Sequence, residues 1–248
     1  MYLSDLVIND KARLALDDLF LDKINKDELL ALIREHRYVD ELLKFELPVN
    51  NKVLLYGSSG CGKTTTAKAI AAALDKNMMI LNLSNVICAR IGESAQNLKM
   101  VFDKAARDKS VLFLDEFDQI GKARTGDDRE QGEMRRLINT IIQLIDYFPD
   151  HSLLICATNH RGFIDPALLR RFQLNLSFVM PSVQVLDEYY DKLLSRFPEH
   201  MSSFDRLYGI SFAQVKDFAF TRVKETLIKE LEAAKRQDEV GEGAVKEH

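Results

Sequence analysis

The chain reads Gly57-Ser58-Ser59-Gly60-Cys61-Gly62-Lys63-Thr64 between an apolar segment, residues 53–56, and an alanine-rich segment, residues 65–74. This run matches the pattern G-x-x-x-x-G-K-[ST], and it stands between a predicted strand and a predicted helix, where that pattern binds phosphate. Glycines let backbone N–H groups turn towards a phosphate without a Cβ clash, and the start of the helix adds partial positive charge. We therefore expect a nucleotide to contact the loop and the first helical residues: Gly57, Ser58, Ser59, Gly60, Cys61, Gly62, Lys63, Thr64 and Thr65.

Four more segments have the length and apolar character of buried strands: residues 78–83, 111–114, 153–157 and 174–179. Helical patterns separate them, including a strongly amphipathic one at residues 132–147. Strands that alternate with helices build a parallel sheet covered on both faces. The predicted fold class is therefore α/β, with a five-stranded parallel sheet, flanking helices and the phosphate loop after its first strand.

The pattern changes after Pro181, where residues 183–197, about 211–222 and about 223–237 are typical of helices. We expect a small helical subdomain there, and a polar, glycine-containing stretch at the end that frays. The first 50 residues are charged and have apolar residues at helical spacing. The expected organisation is a helical leader (1–50), an α/β nucleotide-binding core (51–181), a helical subdomain (182–237) and a flexible tail (238–248).

Composition excludes several classes of protein. The 248 residues are 46% hydrophobic and 29% charged, which is too apolar for a disordered chain, and no apolar run is long enough for a membrane span. A net charge of −4 argues against a protein that holds duplex DNA mainly through phosphate contacts. The three cysteines, Cys61, Cys88 and Cys156, lack metal-ligand spacing and fit reduced thiols in the cytoplasm.

A second motif places two carboxylates at the end of the predicted strand 111–114, which Asp115 and Glu116 follow directly. Ligands bind at the C-terminal ends of strands in such sheets. We expect Asp115 and the hydroxyl of Thr64 to hold Mg²⁺, and Glu116 to polarise an attacking water. Many strands end in acidic residues, so the pair gains its significance from the phosphate loop that precedes it.

Two weaker signals follow. Asn159 comes two residues after the predicted strand 153–157, where an amide can contact a γ-phosphate, although an Asn at such a position is more often a turn residue. Arg170 and Arg171 follow a short apolar helical pattern. Adjacent arginines there either cap a solvated helix end or act on the nucleotide of a neighbouring subunit.

The motif set resembles the AAA+ ATPases, specifically the AAA clade that includes katanin and spastin, and within it compact bacterial single-ring ATPases. The segments that carry the resemblance are GSSGCGKT, IGES, LFLDEFDQIG, ATNH and IDPALLRRF, over about residues 51–181. The later Gly209-Ile210-Ser211-Phe212-Ala213 is similar to a turn in the helical lid of that family.

This resemblance implies a homo-oligomeric ring, usually a hexamer, with ATP and Mg²⁺ at the subunit interfaces and mechanical work on a protein client or adaptor. It implies that Asn159 senses the γ-phosphate and that Arg170 and Arg171 are arginine fingers. The chain departs from the family at Arg90, followed by Ile91, where relatives place an aromatic residue in the central pore. A ring of arginines would favour acidic or aromatic chains instead of any chain.

Three functions compete. The favoured one is an ATP hydrolase that remodels or unfolds a protein partner. The alternative is an ATP-dependent loader of helicases or transposases on nucleic acid; the acidic balance and the Asp115-Glu116 pair oppose it, because such loaders often carry two aspartates. The third is a ring that binds ATP but scarcely hydrolyses it, which an intact Glu116 and Asn159 oppose. Membranes and nucleic acid are not expected partners.

Overall fold

The computed structural model describes residues 7–10, 14–87, 91–122 and 128–244. They contain a six-stranded sheet in the order β1-β3-β4-β5-β2-β6. Strands β2 to β6 are mutually parallel, and β1 runs antiparallel to β3. The strands are β1 (Val7–Asp10), β2 (Lys52–Gly57), β3 (Met78–Asn82), β4 (Val111–Asp115), β5 (Leu153–Thr158) and β6 (Leu174–Phe178).

The helices of the described residues connect these strands or follow them. They are α1 (Lys23–Arg37), α2 (Val39–Lys44), α3 (Lys63–Ala73), α4 (Leu83–Ile87), α5 (Ile91–Arg107), α6 (Gln119–Lys122), α7 (Asp128–Asp146), α8 (Pro166–Leu169), α9 (Val183–Leu194), α10 (Glu199–Ser202) and α11 (Phe212–Ala244). Each of the five parallel strands overlaps a segment predicted from its apolar run. The α/β class with a parallel central sheet is therefore confirmed.

The sequence did not predict β1, which lies in the segment expected to be helical throughout. Val7 is buried in the core while Ile8 is exposed, as the alternation of a strand requires. Val7 pairs with Leu81 and Ile8 with Ile80 of β3. Four residues are too few to distinguish this alternation from a helical pattern, because the pairing partner rather than the local sequence specifies the strand.

Alternate residues of the strands pack into two apolar cores, one on each face of the sheet. Leu54, Leu112 and Leu154 face a core built with α5 and α7. Val53, Phe113 and Ile155 face a second core, to which α1 and α3 contribute. Burial on both faces explains why these strands are apolar throughout. It also holds the strand ends in fixed positions for the site described below.

The chain divides into two compact units, Met1–Val179 and Met180–His248. The second unit is helical, with its own core around Leu186, Tyr190 and Val215. Helix α11 spans both segments predicted as separate helices and continues to Ala244, where a flexible tail was expected from residue 238. No glycine or proline interrupts residues 212–240, so nothing in the backbone ends the helix there.

The turn at residues 209–213, which is similar in sequence to a turn of the family's helical lid, forms the start of α11. Ser211 caps α11 in a reciprocal pair with Gln214: the Gln214 N–H donates to the serine Oγ, and the Gln214 Oε1 accepts from the Ser211 N–H. Gly209, at φ 72°, supplies the left-handed residue of the turn. In the described part of the chain, none of the helices combines the length and apolarity that a membrane crossing needs.

Candidate functional site

The predicted site residues converge at one edge of the sheet because β4, β5 and β2 are neighbours. The strands are parallel, so Asp115, Thr158 and Gly57, the last residues of the three, lie side by side. The loop after β2 has three glycines in left-handed conformations, with φ of 131° at Gly57, 72° at Gly60 and 102° at Gly62. Such backbone turns successive N–H groups inward and forms a concave site for an anion.

Gly57 is required for a second reason, which is its contact with β6. A Cβ on Gly57 would lie 2.0 Å from the carbonyl oxygen of Phe178. That same oxygen accepts a hydrogen bond of 2.9 Å from the N–H of Ser58. The contact ties the start of the loop to the end of β6, and only a residue without a Cβ permits it.

Gly57→Ala is expected to displace the loop from β6, since the left-handed φ and the clash with Phe178 act together. Backbone strain of this kind costs about 1–3 kcal/mol, which lowers the melting temperature by roughly 2–12 °C in a chain of this size. Calorimetry and titration with ATP measure stability and affinity in parallel. Gly162→Ala is the matched control, because a Cβ on Gly162 meets nothing within 4 Å. Equal stability of the two variants would contradict this role for Gly57.

Lys63, the first residue of α3, is buried at 8% exposure. Its ammonium donates three hydrogen bonds of 2.8 Å, to the carbonyl oxygens of Gly57 and Ser58 and to Oδ1 of Asn159. Burial lowers its pKa, because desolvation disfavours the charged form. The structure thus brings the loop lysine and Asn159 together, and phosphate oxygens would be stronger acceptors for this cation than the carbonyls are.

Asp115, at the end of β4, is close enough to Lys63 for their charges to interact, and Glu116 follows it in the chain. Burial raises the pKa of Asp115, while its hydrogen bond from the Glu116 N–H opposes the rise. The Glu116 charge raises this pKa further. Two half-buried carboxylates together form a site that a hard cation would stabilise. The donor set of Asp115 with the half-buried hydroxyl of Thr64 therefore fits Mg²⁺.

Glu116 has a left-handed backbone, at φ 56°, which is uncommon for a residue with a side chain. Its carboxylate accepts a hydrogen bond from the hydroxyl of Ser84, on α4. The strained backbone ends β4 abruptly and turns the chain into α6, where the Gln119 N–H donates to the Glu116 carbonyl at 2.9 Å. Glu116 is thereby held next to Asp115 with a defined side-chain partner.

Arg170 and Arg171 have different surroundings, although the same role was predicted for both from the sequence. Arg171 forms a bidentate ion pair with Asp146, at the end of α7, with N–O distances of 3.0 and 3.2 Å. It also donates to the carbonyl oxygen of Ala167. Arg170 is exposed and, within the described residues, has no hydrogen-bond or ion-pair partner. Of these two arginines, Arg170 is therefore the one whose guanidinium has no partner within the described residues.

The predicted pore position, Arg90, lies outside the described residues. The adjacent Ile91 begins α5, but its side chain is not described. The sequence did not predict a role for Ser84, because a serine after a strand carries no local sign of function. It also missed two residues that bond to each other, Asp118 and Thr158. A charged residue inside the apolar stretch that follows Glu116 was the available signal for Asp118.

Comparison with known proteins gives two matches. The family described as "ATPase family associated with various cellular activities (AAA)" matches residues 53–180. An "Uncharacterized AAA family ATPase y4kL" from Sinorhizobium fredii (strain NBRC 101917 / NGR234) is 33% identical over 229 residues. That alignment covers 90% of this chain and 68% of the relative. Both matches include the loop, the carboxylate pair and Asn159.

Proposed function

Because the chain belongs to the AAA family of ATPases and hydrolyses ATP, we propose that it couples hydrolysis in an oligomeric ring, a hexamer, to the remodelling or unfolding of a protein partner. The observation that carries this proposal is the exposed, unpartnered Arg170. A cation at this position in the motif order has a use when a second subunit brings its nucleotide to it. We place the chain in the katanin- and spastin-like clade of compact single-ring ATPases.

In this mechanism the loop N–H groups and Lys63 bind the phosphates. Thr64 and Asp115 would hold Mg²⁺, which supplies charge neutralisation at the β- and γ-phosphates. Glu116 accepts a proton from the attacking water, and Asn159 binds the γ-phosphate side of the site. The 2.8 Å bond between Lys63 and Asn159 supports this division of roles, because it places both side chains around one point.

The two arginines take separate roles. Arg170 reaches the γ-phosphate of the neighbouring subunit as an arginine finger. Arg171 was also expected to be a finger, and its ion pair with Asp146 favours a supporting role, in which it fixes the end of α8 so that Arg170 projects outward. Asp165 stabilises the other end of α8, where its carboxylate accepts from the Ala167 N–H at 2.7 Å. A short helix fixed at both ends presents Arg170 with little freedom.

The client would be gripped by residues around Arg90 and Ile91, which we assign to the pore. Six copies of Arg90 would form a positive ring, which selects acidic segments of the client. Cys61 and Cys156 are buried and form no disulfide within the described residues, which is typical of the reducing cytoplasm in which we place the protein.

Mixing two inactive variants tests whether the site is shared between subunits. Arg170→Ala should hydrolyse ATP about 10³-fold more slowly while it keeps the parent's melting temperature, because Arg170 has no hydrogen-bond or ion-pair partner among the described residues of its own subunit. Glu116→Gln lacks the other half of the site. Mixed rings contain interfaces with one intact Glu116 and one intact Arg170, so phosphate release should recover after mixing.

The same assay separates the arginines and the competing functions. Arg171→Ala should lose part of its thermal stability as well as activity, because the ion pair with Asp146 is broken. Absence of recovery in rings proven to be mixed by native mass spectrometry would contradict action between subunits. Stimulation of hydrolysis by single-stranded nucleic acid, and not by a protein captured on Glu116→Gln, would replace the proposal with the loader function.

A further inference from the structure

Two buried polar residues outside the predicted site connect the segment that carries Glu116 with the segment that carries Asn159. The hydroxyl of Thr158 donates a hydrogen bond of 2.9 Å to Oδ1 of Asp118. It accepts one of 2.9 Å from the backbone N–H of His160. Thr158 is 1% exposed and Asp118 is 3% exposed. Buried polar groups are costly unless they are bonded, so this pair is a specific arrangement and not a surface contact.

Their positions in the chain give the pair its significance. Asp118 lies two residues after Glu116, and Thr158 lies one residue before Asn159. The Thr158 hydroxyl closes a turn around Asn159, because it binds the N–H of the residue that follows the asparagine. That turn aims the Asn159 amide at Lys63. Without the hydroxyl, Asn159 would be free to rotate away from the phosphate site.

A second bond runs parallel to the first. The backbone N–H of Phe117 donates to the carbonyl oxygen of Ala157 at 2.9 Å. The segment after β4 is therefore joined twice to the end of β5, once through the backbone and once through buried side chains. A third contact holds the chain beyond Asn159, where the Arg161 guanidinium lies 4.6 Å from the centre of the Tyr56 ring.

We propose that Asp118 and Thr158 are positioning residues that hold Asn159 and Glu116 at a fixed separation during ATP hydrolysis. The inference rests on the proposed roles of those two residues. Asp118 acts through Thr158, since its carboxylate accepts the hydroxyl proton and so directs the hydroxyl lone pair to His160. Small displacements of reacting groups have large effects on rate, so the loss of this bond reduces turnover more than it reduces binding.

The test is a double-mutant cycle on ATP turnover. Thr158→Val removes the hydroxyl and keeps the shape of the side chain, and we expect kcat to fall about 10-fold or more with KM and the affinity for ATP little changed. Thr158→Ser, which keeps the hydroxyl, should restore kcat. In an Asn159→Ala background, Thr158→Val should change kcat less than about 2-fold, since the group that it positions is absent.

A merely structural role gives different results. It would reduce activity by the same factor with or without Asn159, so additivity in the cycle overturns the inference. Asp118→Asn provides an independent cycle for the case in which Thr158→Val does not fold. Thr140→Val is the matched control, because the Thr140 hydroxyl bonds within its own helix, α7, to the Arg136 carbonyl at 3.0 Å.

The outcomes also separate this inference from the roles on which it rests. If Asn159→Ala hydrolyses ATP at the parent rate, the proposed role of Asn159 is wrong. If Asn159→Ala is slow and Thr158→Val has the parent kcat, only the positioning role is overturned.

Discussion

Glu116→Gln should bind ATP as tightly as the parent and hydrolyse it roughly 10²–10⁴-fold more slowly, which is the range for loss of a general base. In the parent, the Ser84 hydroxyl donates to the Glu116 carboxylate. Glutamine has the same size, and its amide oxygen can accept the same hydrogen bond. The substitution should therefore remove only the capacity to take a proton from water, which is the role proposed for Glu116. Steady-state phosphate release and titration with ATP give the two quantities separately.

The control for this substitution is Glu46→Gln. Glu46 also has a left-handed backbone, at φ 55°, but it is exposed after α2 and is not one of the site residues. It therefore tests whether glutamine disturbs a glutamate in this conformation. Both variants should keep the parent's melting temperature. Hydrolysis at the parent rate by Glu116→Gln would show that another group activates the water.

Lys63→Met should weaken ATP binding by roughly 10–150-fold, because charge-assisted hydrogen bonds contribute about 1.5–3 kcal/mol. The effect on stability should be small. Burial lowers the pKa of Lys63, which means that its surroundings disfavour the charged ammonium. An uncharged side chain of similar length removes that cost and offsets the three lost hydrogen bonds. Affinity and stability should therefore separate in this variant.

Lys99→Met is the matched control, since Lys99 is an exposed residue of α5. It should change neither ATP affinity nor melting temperature. If Lys63→Met unfolds at a much lower temperature than Lys99→Met, the buried lysine stabilises the fold. That result would contradict the expectation that its burial destabilises the protein and serves nucleotide binding alone.

The parallel sheet and the main site residues were predictable because their signals are local. A phosphate loop needs glycines and a lysine at fixed spacing, and a strand buried on both faces must be apolar throughout. Gly57, Lys63 and Asp115 could therefore be predicted as candidate site residues from the sequence alone. Their convergence followed from the rule that parallel strands end at one edge.

The rest depended on partners that are distant in sequence. Ser84 reaches Glu116 across 32 residues, and Thr158 reaches Asp118 across 40. Nothing local distinguishes such a serine or threonine from others in the chain. The different surroundings of Arg170 and Arg171 arise in the same way, because Asp146, 25 residues away, binds one and not the other.

The antiparallel strand β1 has a consequence for solubility. The backbone of Met78–Asn82 would otherwise form an open edge of an apolar sheet, and such an edge can recruit strands from other molecules into aggregates. The four residues of β1 occupy those hydrogen-bonding groups and leave a new edge that is short and ends in Asn9 and Asp10. Short, polar edges resist further pairing. Strand β1 thus protects the folded chain from edge-to-edge pairing with other copies of itself.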